Sequence, residues 1–153
     1  MVSTTSCASL ADALHELLLH MDATCRQLED ILQQEQLAVQ GFHGEALVSL
    51  TDAHVACHRE LAELEAQCRE LLRQQGVPDS MGLEAFIDLY LPHKAKQLQA
   101  IRRKLYERLS LAVHANEVNR QSMRLAHEAS SAVLQHIGAI PARSTYGPGG
   151  VMR

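Results

Sequence analysis

Residues 47–72, "LVSLTDAHVACHRELAELEAQCRELL", decide the fold. Leu47, Leu50, His54, Cys57, Leu61, Leu64, Cys68 and Leu71 follow one another in steps of three or four. That spacing keeps every one of them on a single face of an α-helix and matches the heptad seam of packed helices. Alternation with a period of two, the mark of a strand, is absent from the stretch. The helix is expected to span about residues 45–75 and to stop at Gly76, ahead of "VPDSMG".

Working towards the N-terminus, "QGFHGE" at 40–45 places two glycines around Phe42 and His43, a composition suited to a tight connection between antiparallel helices. Before it, Leu10, Leu14, Leu17, Met21, Thr24, Leu28, Ile31, Glu35 and Ala38 form a seam of the same kind, with Ser9 as the expected N-cap. Leu18, Cys25, Leu32 and Val39 make a second stripe beside it. Two stripes mean that this helix, about 9–40, has more than one neighbour.

Towards the C-terminus, "LEAFIDLYLP" is a short apolar segment carrying two of the five aromatic residues. It reads as a helix over about 83–91 that caps one end of the hairpin. Pro92 then suits the first turn of a last helix, about 92–137, which Gly138 and Pro141 terminate. The seam of that helix is Leu98, Ile101, Leu105, Leu109, Ala112, Asn116, Asn119, Met123, Ala126, Ser130, Val133 and Ile137. At 1.5 Å per residue the last helix extends roughly 65–70 Å, against roughly 45 Å for each arm of the hairpin. Roughly a third of it must overhang, pair with a second copy or await another protein. The expected architecture is therefore all-α: an elongated antiparallel helical bundle over 1–138, and a disordered tail over 139–153.

Composition agrees with narrow helix–helix seams. Two Phe, three Tyr and no Trp in 153 residues leave little to fill the wide spaces of a layered globule. The net charge of −4 conceals an asymmetry: residues 1–91 carry fifteen Asp/Glu against four Arg, whereas residues 92–153 carry three Glu against ten Lys/Arg. Attraction between the two halves across the bundle explains this more economically than nucleic-acid binding. Only Tyr90 and Tyr106 stand near the basic cluster of Lys94, Lys96, Arg102, Arg103, Lys104 and Arg108 as stacking rings. Cys7, Cys25, Cys57 and Cys68 show neither CxxC spacing nor a disulfide framework. The opening residues lack the basic and apolar regions of a signal peptide, and no run reaches the length of a membrane span. These features fit a soluble protein of a reducing cytoplasm.

Chemistry-bearing motifs are sparse. His54 and His58 are spaced to share a metal, but "HVACH" lacks the Glu of HExxH, and His54 and Cys57 are already required by the seam. Packing is the preferred reading. No phosphate loop follows a strand, and no Ser or Cys nucleophile has a definable base. Neither an enzyme nor a cofactor is expected. The unusual feature is "ANEVNRQSM": Asn116 and Asn119 fall on the seam, followed by Ser122 and Ser130. Asn at a core position costs stability and serves register or partner choice, so this face is either a solvated one beyond the end of the hairpin or one that accepts a partner helix.

A helical hairpin, a long helix with N-x-x-N at Asn116 and Asn119, and a tail "STYGPGG" with Tyr146, Gly147 and Gly150 occur here in that order. This arrangement resembles the FlgN-type flagellar export chaperones. "AVQGFHGEALVSLTDAH" is similar to the family's hairpin connection, with His54 where a Lys is often found. The resemblance implies a non-enzymatic, cytoplasmic chaperone. It would bind the C-terminal helical segment of flagellar hook-associated (hook–filament junction) proteins and deliver them to the cytosolic domain of the type III export gate. On that reading Leu105, Leu109, Ala112, Asn116, Asn119, Met123, Ala126, Val133 and Ile137 form the client surface. Tyr146, a lone aromatic beside Gly147, docks on the gate. The chain is expected to be a monomer or weak homodimer, without nucleic acid or membrane insertion. The competing expectation is a structural coiled-coil homodimer or adaptor with no export role.

Overall fold

The computed structural model describes residues 4–138. They form four helices: α1 (Thr4–Gln40), α2 (Gly44–Gln74), α3 (Leu83–Tyr90) and α4 (Ala95–His136). No strand occurs among the described residues. α1 starts earlier than the expected cap at Ser9, because neither Gly nor Pro interrupts residues 4–8; Ser9 lies exposed within the helix. α4 starts later than expected. Pro92 belongs to a turn in which the Leu91 carbonyl accepts from the Lys94 amide at 3.0 Å, and helix begins only at Ala95. Leu91 is fully buried, which pins the turn to the core and sets where α4 can begin.

α1 is the central element: α2 and α4 both pack on it rather than on each other, and α3 packs on α4. Its two sequence stripes thus serve two neighbours. The directions follow from cross-helix contacts. His20 pairs with Glu60 and Glu35 with His54, so α2 runs antiparallel to α1. Lys94 approaches Asp12, Arg108 reaches Asp22 and Glu29, and Asn119 meets Leu32, so α4 runs parallel to α1. Attraction between the acidic front and the basic back is realised in these pairs. Nε of Arg108 lies 2.8 Å from Asp22 Oδ1 in an ionic contact, without hydrogen-bond geometry. The Nη1 of Arg108 donates to both carboxylate oxygens of Glu29, at 2.8 and 3.1 Å.

The larger core unites Leu10, Leu14, Leu18 and Cys25 of α1 with Leu64 and Cys68 of α2, Phe86 and Ile87 of α3, and Leu98 and Leu105 of α4. A smaller one joins Leu28, Leu32, Cys57 and Ala112 nearer the hairpin turn. Burying such side chains stabilises the fold by about 1.5–3 kcal/mol each before the cost of ordering them. Gln99, itself buried, fixes α3 on α4: its Nε2 donates to the Glu84 carbonyl and to Asp88 Oδ1, each at 2.9 Å. Gly76 (φ +72°) and Gly138 (φ +75°) end α2 and α4 in the left-handed region. Phe42, at φ +55°, does the same in the hairpin turn without the freedom of glycine.

Candidate helix-binding groove

Because α2 and α4 avoid each other, a groove of about 1000 Å³ opens between them, floored by α1. Leu18, Met21, Leu28 and Leu32 form the floor, and Leu61, Leu72 and Cys68 belong to the α2 wall. The α4 wall is Leu105, Leu109, Ala112, Val113 and Asn116. Val77, Met81 and Leu83 close the end next to α3. A helix about 10 Å across would fill that volume over roughly two turns.

The opposite end of the groove is polar. His54 and His58 line it from α2. Glu35, buried on α1, accepts from His54 Nδ1–H at 3.0 and 3.2 Å through its two oxygens. That bond leaves His54 Nε2 free to accept, and it stands 2.8 Å from His58 Nε2. The two rings stack with centroids 4.7 Å apart. Burial, and then the neighbouring His54, lower the pKa of His58 below the usual histidine value, while Glu35 acts in the opposite sense. Among the described residues, no group of three His, Cys, Asp or Glu side chains is arranged to hold a metal ion.

The residues expected to bind a partner fall into three sets. Leu105, Leu109, Ala112 and Asn116 line the groove, although Leu105 and Ala112 are largely buried against the bundle. Asn119 is turned inward, 2 % exposed, and its Nδ2 donates to the Leu32 carbonyl at 2.8 Å. Its amide is committed to the chain itself. Met123 and Ala126 are half-buried, whereas Val133 and Ile137 are exposed. Tyr146 and Gly147 lie outside the described residues.

The uncovered part of α4 is measurable. Asn119 stands level with Leu32, after which α1 has eight residues left to Gln40 and α4 seventeen to His136. Nine residues, roughly 13 Å, therefore project beyond the end of α1. Among the described residues, none after Asn119 is buried, and Leu125, Val133, Leu134 and Ile137 expose apolar surface.

Sequence reasoning passed over the Glu35–His54–His58 chain and the contributions of α1 and α2 to the groove. The available signal was that Glu35 and His54 are polar residues on the seams of two helices expected to pair.

A helical hairpin carries a third long helix along one arm, with an apolar groove and an uncovered helix end that leave surface for a partner. The chain matches the FlgN protein family over residues 1–153, its whole length, and belongs to that family of flagellar export chaperones. It is a chaperone family and not an enzyme family. No curated protein and no solved structure gives a match. Among the described residues, no helix is long and apolar enough to cross a membrane.

Proposed function

We propose that this protein binds the C-terminal helical segment of a flagellar hook-associated protein of the hook–filament junction, in the cytoplasm, and hands it to the export gate. The client helix lies in the groove between α2 and α4 and continues along the α4 face from Leu105 to Ile137. The observation that carries this reading is the apolar groove that α2 and α4 leave open over α1, lined on the α4 side by Leu105, Leu109 and Ala112; further along, α4 also exposes Val133 and Ile137. Laying an amphipathic helix into such a surface is an established mode of peptide recognition. Tyr146 and Gly147 are the proposed contact with the cytosolic domain of the gate, separable from the client surface.

The test is co-purification of a junction protein with Met123→Glu and Val133→Glu variants whose helicity is checked by circular dichroism. Both variants should lose the client while remaining helical, and undiminished co-purification would remove the client surface from α4. Tyr146→Ala should keep the client and weaken gate binding in a titration; unchanged gate affinity would sink the proposed tail contact. The exposed apolar side chains of Val133 and Ile137, on one side of the uncovered end of α4, also suit a second copy of the chain. Sedimentation of the protein alone separates the two readings, since a tight client-independent dimer would favour the structural one.

A further inference from the structure

The polar end of the groove is more than a gap in its apolar lining. A carboxylate, an imidazole and a second imidazole are connected in series from the interior to the groove surface. Glu35 (3 % exposed) accepts a hydrogen bond from His54 Nδ1–H (9 % exposed), and His54 Nε2 accepts one from His58 Nε2–H. The last contact, 2.8 Å between two ring nitrogens, requires one proton between them. When both rings are fully protonated, two N–H groups and two positive charges face each other, and the contact cannot persist.

His58 is exposed in the empty groove, where water can solvate its charged form. A helix filling the groove removes that water, and desolvation disfavours an imidazolium. The surroundings offer little compensation. On α1, Glu35 faces the pair, but His54 stands between it and His58. On the α2 wall, Arg69 is paired with Glu65 and Arg73 with Glu70. Asp79 lies in the connection after α2, further along the groove. α4 turns Leu105, Leu109, Ala112, Val113 and Asn116 to the groove, none of which titrates.

We propose that loading of this groove is linked to proton release from the Glu35–His54–His58 chain, so that an apolar helix enters when His58 is neutral and is rejected when His58 is protonated. The inference rests on the reading above that the groove holds the client's helical segment. The sign follows from linkage: a group whose pKa is lowered by occupancy releases a proton on binding, so affinity falls as pH falls through its titration. The slope for one proton reaches about tenfold per pH unit.

The experiment is titration of full-length protein with a peptide of the C-terminal helical segment of a junction protein, from about pH 8 to about pH 4.5, a range carried well below the ordinary histidine value because that of His58 is lowered. Helicity is monitored at each pH. Affinity should weaken on the acid side by up to about tenfold per unit, and His58→Gln, which keeps a donor towards His54, should flatten the profile. The His58 ring resonance in NMR should titrate at lower pH with peptide than without. A pH-independent wild-type affinity, an equal slope in His58→Gln, or a His58 pKa that rises on loading would each overturn the proposal. Tightening in acid would mean that a client carboxylate meets His58, which overturns it as well. Absence of binding at every pH would instead remove the groove as the client site, and this linkage with it.

Discussion

Asn119 is the last buried residue of α4 among the described ones, and its replacement should show how strongly it anchors the helix to α1. The side chain is buried and makes one hydrogen bond, to the Leu32 carbonyl at 2.8 Å. Leu32 lies inside α1, so the same carbonyl also accepts a helical bond, and removing Asn119 leaves no orphaned acceptor. In Asn119→Ala, loss of the bond costs about 1 kcal/mol. Truncation in a closed site adds to the cost, while the better helix propensity of Ala returns about 0.5 kcal/mol. The net expectation is a loss of about 1 kcal/mol, or roughly 0.5 M in the urea midpoint for an m-value near 2 kcal/mol/M. Asn119→Asp should cost about 3–5 kcal/mol, because a buried carboxylate would face a carbonyl oxygen without a partner. Urea unfolding followed by circular dichroism measures both, and hydrogen exchange adds the local readout. Amides around Ala112–Met123 should exchange faster in the Ala variant, while those of α3 stay protected. An unfolding free energy unchanged within roughly 0.3 kcal/mol, with unchanged exchange, would refute the idea that this bond anchors α4.

Two further outcomes concern the hairpin and the cysteines. Phe42→Gly should stabilise the protein by about 0.5–1 kcal/mol, since relief of a left-handed backbone exceeds the entropic cost of glycine. The ring is 76 % exposed and contributes little packing, and a lowered urea midpoint would contradict this. Cys25, Cys57 and Cys68 are buried, and the Cys25 thiol is pushed up to about 11 by burial and then by Asp22 and Glu29. Burial also raises Cys57 and Cys68. In a Cys7→Ser background at about pH 8, thiol reagents should label the native protein on the order of 100-fold more slowly than the unfolded chain. Rapid stoichiometric labelling would show that these sites open readily.

Much of the fold was legible because heptad spacing specifies faces. Every seam residue from Leu47 to Leu71 is buried or half-buried, as are both stripes of α1. The α4 seam behaves likewise as far as Ala126 and fails from Ser130 onward, where α1 has ended and nothing remains to cover it. Periodicity says which side of a helix is wanted, but not which helix wants it. The two stripes of α1 announced two neighbours but not which helices they are, so the groove between α2 and α4 could not be read from spacing. Asn119 illustrates the same limit. Its polarity on a seam signalled a specific hydrogen bond, but the acceptor is a backbone carbonyl 87 residues away, and backbone groups carry no sequence signature. Glu35 and His54 were visible singly as polar intrusions; only the antiparallel register of α1 and α2 brings them together.

The parallel course of α1 and α4 gives the molecule a polarity that bears on unloading. The free end of α4, the hairpin turn with Phe42 and the exit of the chain at Gly138 all share one pole. α3 and the closed end of the groove occupy the other. On the proposed mode of client binding, a receptor that grips residues after Gly138 would approach a client on α4 from the pole where α4 is uncovered. Unloading on that mode would start at this pole, away from the core around Phe86 and Leu14.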